Sequence, residues 1–177
     1  MALFSRRLAV VPDAPDTAPL AERALEHVDA LYSLAVHLTG NASDAEDLVQ
    51  STYARALAGS AQYEDGTNLR AWLFRILRNG FIDLARRRKI VLEIPDDTLD
   101  ARTDMGATDE QLRYVTAGEV QRAIATLPVE LRLVVLLEIE GFSEAEMANI
   151  AHCPAGTVKS RLSRAKARLR VALKETT

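Results

Sequence analysis

Six basic side chains, Lys159, Arg161, Arg164, Lys166, Arg168 and Arg170, fall within the stretch PAGTVKSRLSRAKARLR at residues 154–170, which contains no Asp or Glu. Cations at that density bind polyanions, because each Lys or Arg brought to a phosphate releases condensed counterions. Thr157, Lys159, Ser160, Arg161 and Arg164 would face a major groove from the N-terminal half of a helix. There they can reach base edges while the flanking cations hold phosphates. A second set, Arg75, Arg78, Asn79 and Arg86, recurs at roughly helical steps, and Tyr63 and Asn68 stand in a polar loop just before it. That loop suits an unstacked base. Trp72 could stack on one too, although a place in the core is the more ordinary use of such a ring.

Other chemistry is poorly provided for. His152 and Cys153 are adjacent, but Cys153 is the single cysteine and the remaining histidines, His27 and His37, lie far back in the chain. A turn explains the pair better than a metal site does. GTVKS at residues 156–160 lacks the glycines of a phosphate-binding loop. No nucleophile and base pair, zinc-protease motif or dinucleotide fingerprint is present, so the expectation is a non-enzyme without cofactor or metal.

The elements that must position these residues follow from periodicity. The chain has 177 residues, 48% of them hydrophobic, and a formal net charge of -3. That is enough for one ordinary domain or two small ones. Residues 1–18 read as a mobile tail without a signal peptide, and no run approaches the roughly 18 apolar residues needed to cross a bilayer. The expectation is a soluble, cytoplasmic protein. Apolar residues at helical spacing from Leu20 to Leu38, ended by Gly40, predict one helix. Ser43 and Glu46 have capping-box spacing at the start of a second, with Asp44 and Asp47 off its buried stripe. Leu69 to about Arg88 makes a third. The acidic segment 91–113 reads as a flexible linker.

Beyond the linker, Pro128 and Gly141 bound the helical stretch VELRLVVLLEIE, and Ser143 with Glu146 caps a short helix. A turn at HCPAG, with Gly156 allowing close passage, leads into the basic helix, which Val158, Leu162, Ala165 and Leu169 would seat on the domain. A short capped helix, a tight turn and a basic amphipathic helix make up a helix-turn-helix. The fold class expected is all-α: two small helical domains, residues 19–90 and 114–177, joined by the linker.

SDAEDLVQSTYARAL, NLRAWLFRILRNGFIDLARRRK, LPVELRLVVLLEIEGFSEAEMANIA and GTVKSRLSRAKARL resemble, in order, regions 2.1–2.2, 2.3–2.4, 4.1 and 4.2 of an extracytoplasmic-function sigma factor of the sigma-70 family. The resemblance covers roughly residues 20–172. It implies a region 2-like bundle and a region 4-like helix-turn-helix domain, with core RNA polymerase, promoter DNA and an anti-sigma factor as partners. It implies that Asp44, Asp47, Gln50 and Ser51 dock on polymerase, and that Tyr63, Asn68, Arg75, Arg78, Asn79, Asp83 and Arg86 open and read the -10 element. Thr157, Lys159, Ser160, Arg161 and Arg164 would read the -35 element. The acidic linker would either thread polymerase channels or simply stay extended by self-repulsion. Two other classes compete. A sigma mimic that only occupies an anti-sigma factor has little need of the basic helix, and a stand-alone helix-turn-helix regulator leaves the first domain unexplained.

Overall fold

The computed structural model describes residues 19–63, 67–88 and 116–174. The N-terminal tail and the acidic linker lie outside them. Among the described residues the regular structure is helical throughout. The first four helices are α1 (Leu20–Leu25), α2 (Val28–Thr39), α3 (Ala42–Ala58) and α4 (Leu69–Arg87), and a single 3-10 turn, Ser60–Gln62, follows α3. The second half comprises α5 (Ala117–Thr126), α6 (Val129–Ile139), α7 (Glu144–Ala151) and α8 (Ala155–Lys174).

The one helix expected from Leu20 to Leu38 is two. The chain breaks at Glu26 and His27, where His27 takes φ -101° and ψ 7° and starts α2 without a side-chain cap. Gly40 ends α2 in the left-handed conformation, φ 68°, as its position after the last apolar residue requires. The start of α3 also corrects the sequence reading. Its N-cap is Asn41, whose side chain accepts from the Asp44 backbone N–H at 3.1 Å, and Ser43 lies already inside the first turn. Asn competes with Ser for this role, and the helix takes the earlier cap.

Helices α2, α3 and α4 pack on one another around Leu31, Leu34, Leu48, Leu73, Phe74 and Leu77, all buried. Gly80, in the middle of α4, permits the close approach of α3, since a Cβ there would stand 3.0 Å from Leu48 Cδ1. In the second half, α8 crosses α5, α6 and α7. Val158, Leu162 and Ala165 form its buried stripe against Leu131, Val134, Leu137 and Ile150. Full burial of each valine, leucine or isoleucine among them is worth about 2 kcal/mol. The predicted capping box of α7 is present: Ser143 Oγ accepts from the Glu146 backbone, and Glu146 returns a carboxylate oxygen to the Ser143 N–H at 2.7 Å.

The turn before α8 is built differently from the expectation. His152, not Gly156, takes the left-handed conformation, φ 50°, and closes α7. Pro154 then supplies the carbonyl that accepts from Thr157 and Val158, so Gly156 sits in ordinary helix in the first turn of α8. A histidine tolerates this backbone region better than a β-branched residue would.

The two halves are the two small helical domains expected, and they pack on each other. Their buried residues form one continuous cluster, with α7 laid along α4 and α6 against the end of α2. Phe74 and Phe142 meet edge to face at 4.9 Å between ring centroids, both withdrawn from solvent.

Candidate nucleic-acid interface

The basic helix α8 presents its predicted residues unequally. Lys159 and Ser160 are exposed, and Thr157 and Arg164 are partly covered. Lys159 Nζ stands 3.3 Å from Glu144, a pair open to solvent on both sides. Such a pair is worth at most about 1 kcal/mol and is easily exchanged for a phosphate. Arg164 lies back along its own helix, donating from Nε to the Ser160 carbonyl at 3.3 Å.

Arg161 departs from the expectation. Its Nη1 donates to Glu130 Oε2 at 2.9 Å, with only 14% and 12% of the two side chains exposed, and it also approaches Cys153 Sγ. It faces α6 and not the open face of α8. The spacing contained the reason: Arg161 is three residues after Val158 and four before Ala165, on the buried stripe itself. Acids thus do balance part of the basic helix, from neighbouring elements: Glu144 at Lys159, Glu130 at Arg161 and Glu138 at Lys166, the last at 2.8 Å.

In the first half, Tyr63 and Trp72 form an aromatic corner, centroids 5.2 Å apart, and Tyr63 Oη donates to the Thr67 carbonyl at 2.8 Å. Beside it opens a cavity lined by Tyr63, Thr67, Asn68, Ala71, Trp72, Arg75 and, from α7, Asn149. The cavity is polar on one wall and aromatic on the other, which suits a base. Asn68, expected to hold such a base, is already used at both ends of its amide. Its Oδ1 caps α4 by accepting from Ala71 N–H at 3.0 Å, and its Nδ2 donates to Glu146 at 2.5 Å. Arg75 donates to Asn149 Oδ1 at 3.2 Å. Further along α4, Arg78 reaches Asn79 at 3.4 Å, Asp83 pairs with Arg55 at 3.3 Å and Arg86 is exposed.

The third group lies on α3. Asp47 and Gln50 are exposed, whereas Ser51 turns its hydroxyl back to the Leu48 carbonyl at 2.9 Å. Asp44 is held by a two-pronged contact from Arg88 at 2.5 and 2.8 Å, and that hydrogen-bonded guanidinium keeps its carboxyl below the usual carboxylate range. Four residues that matter to the site's geometry carried no signal of their own in the sequence: Arg70, Glu140, Asn149 and Arg132. Each acts across a sequence separation of at least 70 residues. Among the described residues, no group of three or more His, Cys, Asp or Glu could hold a metal ion, and no helix is long and apolar enough to cross a membrane.

The family model Sigma-70 region 2 matches residues 24–90, and the model Sigma-70, region 4 matches residues 117–169. The extracytoplasmic-function RNA polymerase sigma factor EcfG of Rhodopseudomonas palustris is 38% identical over 156 residues, 88% of this chain and 85% of that protein. The sigma factor SigE of Mycolicibacterium smegmatis is 37% identical over 84% of this chain and 59% of its own length. Among solved structures, the sigma factor RpoE of Bartonella quintana, crystallised in complex with the anti-sigma factor NepR, superposes with a TM-score of 0.66. It is 33% identical, with 86% of this chain and 95% of that chain covered.

Proposed function

This chain belongs to the extracytoplasmic-function sigma factors of the sigma-70 family, the promoter-directing subunits of RNA polymerase, and from that premise we propose how its residues divide the work. The observation that carries the proposal is the presence, on one chain, of two separate cationic faces built on different helices. Region 4 reads the -35 element with α8: Ser160, Thr157 and Arg164 lie toward base edges, and Lys159 exchanges Glu144 for a phosphate. Arg161 serves this reader from behind, fixing α8 on α6 through Glu130. Region 2 takes an unstacked -10 base into the corner of Tyr63 and Trp72, with Asn68 at its edge, while Arg75, Arg78, Asn79 and Arg86 follow the backbone. Asp83 stays outside direct phosphate contact and orients Arg55.

The exposed acids of α3 form the polymerase contact. Asp47 and Gln50 project from the middle of the helix, Asp44 is shared with Arg88, and Ser51 contributes shape more than charge. No covalent chemistry is needed, because contacts made only with deformed and unstacked DNA offset the cost of melting. An anti-sigma factor is the fitting regulator, since the similar Bartonella sigma factor was crystallised with one.

The test is run-off transcription with purified core polymerase on a promoter selected from a fragment library. Lys159→Ala should lower transcription from promoters with a -35 element while core binding is unchanged. Asp47→Ala should weaken core binding while retaining fold. If both substitutions lowered only core binding, the division of labour would be wrong.

A further inference from the structure

Helix α7 occupies the surface just assigned to the -10 element. Asn149 stands in the wall of the Tyr63 and Trp72 cavity and accepts from Arg75 at 3.2 Å, and Glu146 takes the Asn68 amide. Burial works to raise the Glu146 carboxyl, but hydrogen bonds from Ser143 and Asn68 outweigh it, leaving an anion under that amide. Beside them Arg70 donates to the Glu140 carbonyl at 2.8 Å and to its carboxylate, and its guanidinium lies 4.6 Å from the Phe142 ring centroid. At the other end, Arg132 ties α6 to the last turn of α2 through the His37 carbonyl at 2.8 Å.

These contacts have a common chemistry. Carboxylates and a side-chain carbonyl from region 4 engage the donors of region 2 that single-stranded DNA would use, and Phe142 covers Phe74 beneath them. We propose that α7 and the turn before it are an internal ligand of the -10-reading face, so that the chain alone rests in a closed form in which α7 and unstacked DNA exclude each other. The inference rests on the proposed role of that face. In the closed form Asn68 and Arg75 each have a donor turned to α7, and a base entering the cavity meets Asn149. Opening uncovers Phe74 and Phe142 together, so a partner that stabilises the open form must cover apolar surface as well as pull the two halves apart. Apparent affinity for single strands is reduced by the open fraction: a form open about one-tenth of the time binds about tenfold more weakly than a fully open one.

The experiment uses the full chain and a fluorescein-labelled mixed-sequence DNA single strand of about 12 nucleotides, with small-angle scattering for compactness and circular dichroism for helicity. Arg70→Glu should keep helicity, enlarge the radius of gyration and tighten single-strand binding by up to about tenfold. It does so although it adds negative charge, which by simple electrostatics would weaken binding. Arg70→Glu combined with Glu140→Arg should restore both compactness and weak binding. Asn149→Ala, neutral in charge and on an exposed position, should tighten binding without loss of fold. The proposal is overturned if Arg70→Glu stays compact, if it expands but binds more weakly, or if it unfolds and Asn149→Ala binds no better than the parent. An absence of promoter-dependent transcription by the parent with core polymerase would instead strike the functional reading, and leaves the scattering result standing.

Discussion

Lys159 and Arg161 are separated by one residue, and their acidic partners give them opposite tasks. Glu144 meets Lys159 in open solvent, where attraction is screened and side-chain entropy opposes it. Glu130 meets Arg161 out of solvent, and deleting one member leaves the other charged and unpaired. Arg161→Ala should therefore cost about 3 kcal/mol in urea unfolding, whereas Arg161→Met with Glu130→Leu should recover most of that loss. Lys159→Ala should leave stability within about 0.5 kcal/mol and reduce the salt dependence of DNA binding by about one counterion. A stable Arg161→Ala protein with a reduced salt slope would mean that Arg161 touches phosphate after all. The charge of the 154–170 stretch was plain in the sequence. Which cation turns inward required setting the stripe Val158, Leu162, Ala165 against each basic position in turn.

Among the elements, the break between α1 and α2 is the least expected. The apolar residues of the two helices keep a common phase, and neither Pro nor Gly marks Glu26 or His27, so the pattern alone reads as one helix. Contacts made elsewhere decide it: Tyr53 Oη donates to the Ala24 carbonyl at 2.9 Å, tying down the last turn of α1. Burial, with Arg70 and Arg23 nearby, holds the His27 imidazole below its ordinary value of 6.5, only partly opposed by Glu26. The folded chain thus takes up this proton less readily than the unfolded one. Its contribution is fully present above about pH 6.5 and is lost as pH falls below that value. Thermal unfolding followed by circular dichroism should show stability declining as pH falls below about 6.5, and His27→Gln should flatten the decline. An unchanged slope in the variant would place the acid sensitivity elsewhere. The α7 capping box and the course of α4 were legible because caps and stripes are local. Asn41 displaced Ser43 as the cap of α3 because both can serve and the sequence holds no means of ranking them.

At the scale of the whole molecule, charge, spacing and the order of four motifs singled out the two sets of residues proposed to face DNA. Their meeting was not. Arg70 with Glu140, Asn68 with Glu146 and Arg132 with His37 join residues 70 to 95 positions apart, and no local pattern selects one such pairing over another. The described fold consequently adds a state to the expected parts: a compact chain in which α7 lies on the face of α4 proposed to read the -10 element. For the chain to act as a sigma factor, polymerase must hold the halves apart so that both readers engage one promoter. The most direct test is permanganate and DNase footprinting of a selected promoter with core polymerase and this protein. Two protected patches flanking a spacer are expected, with permanganate-reactive thymines at the downstream patch, and neither feature when core is omitted. A single protected site formed without core, and no reactive thymines, would contradict that expectation.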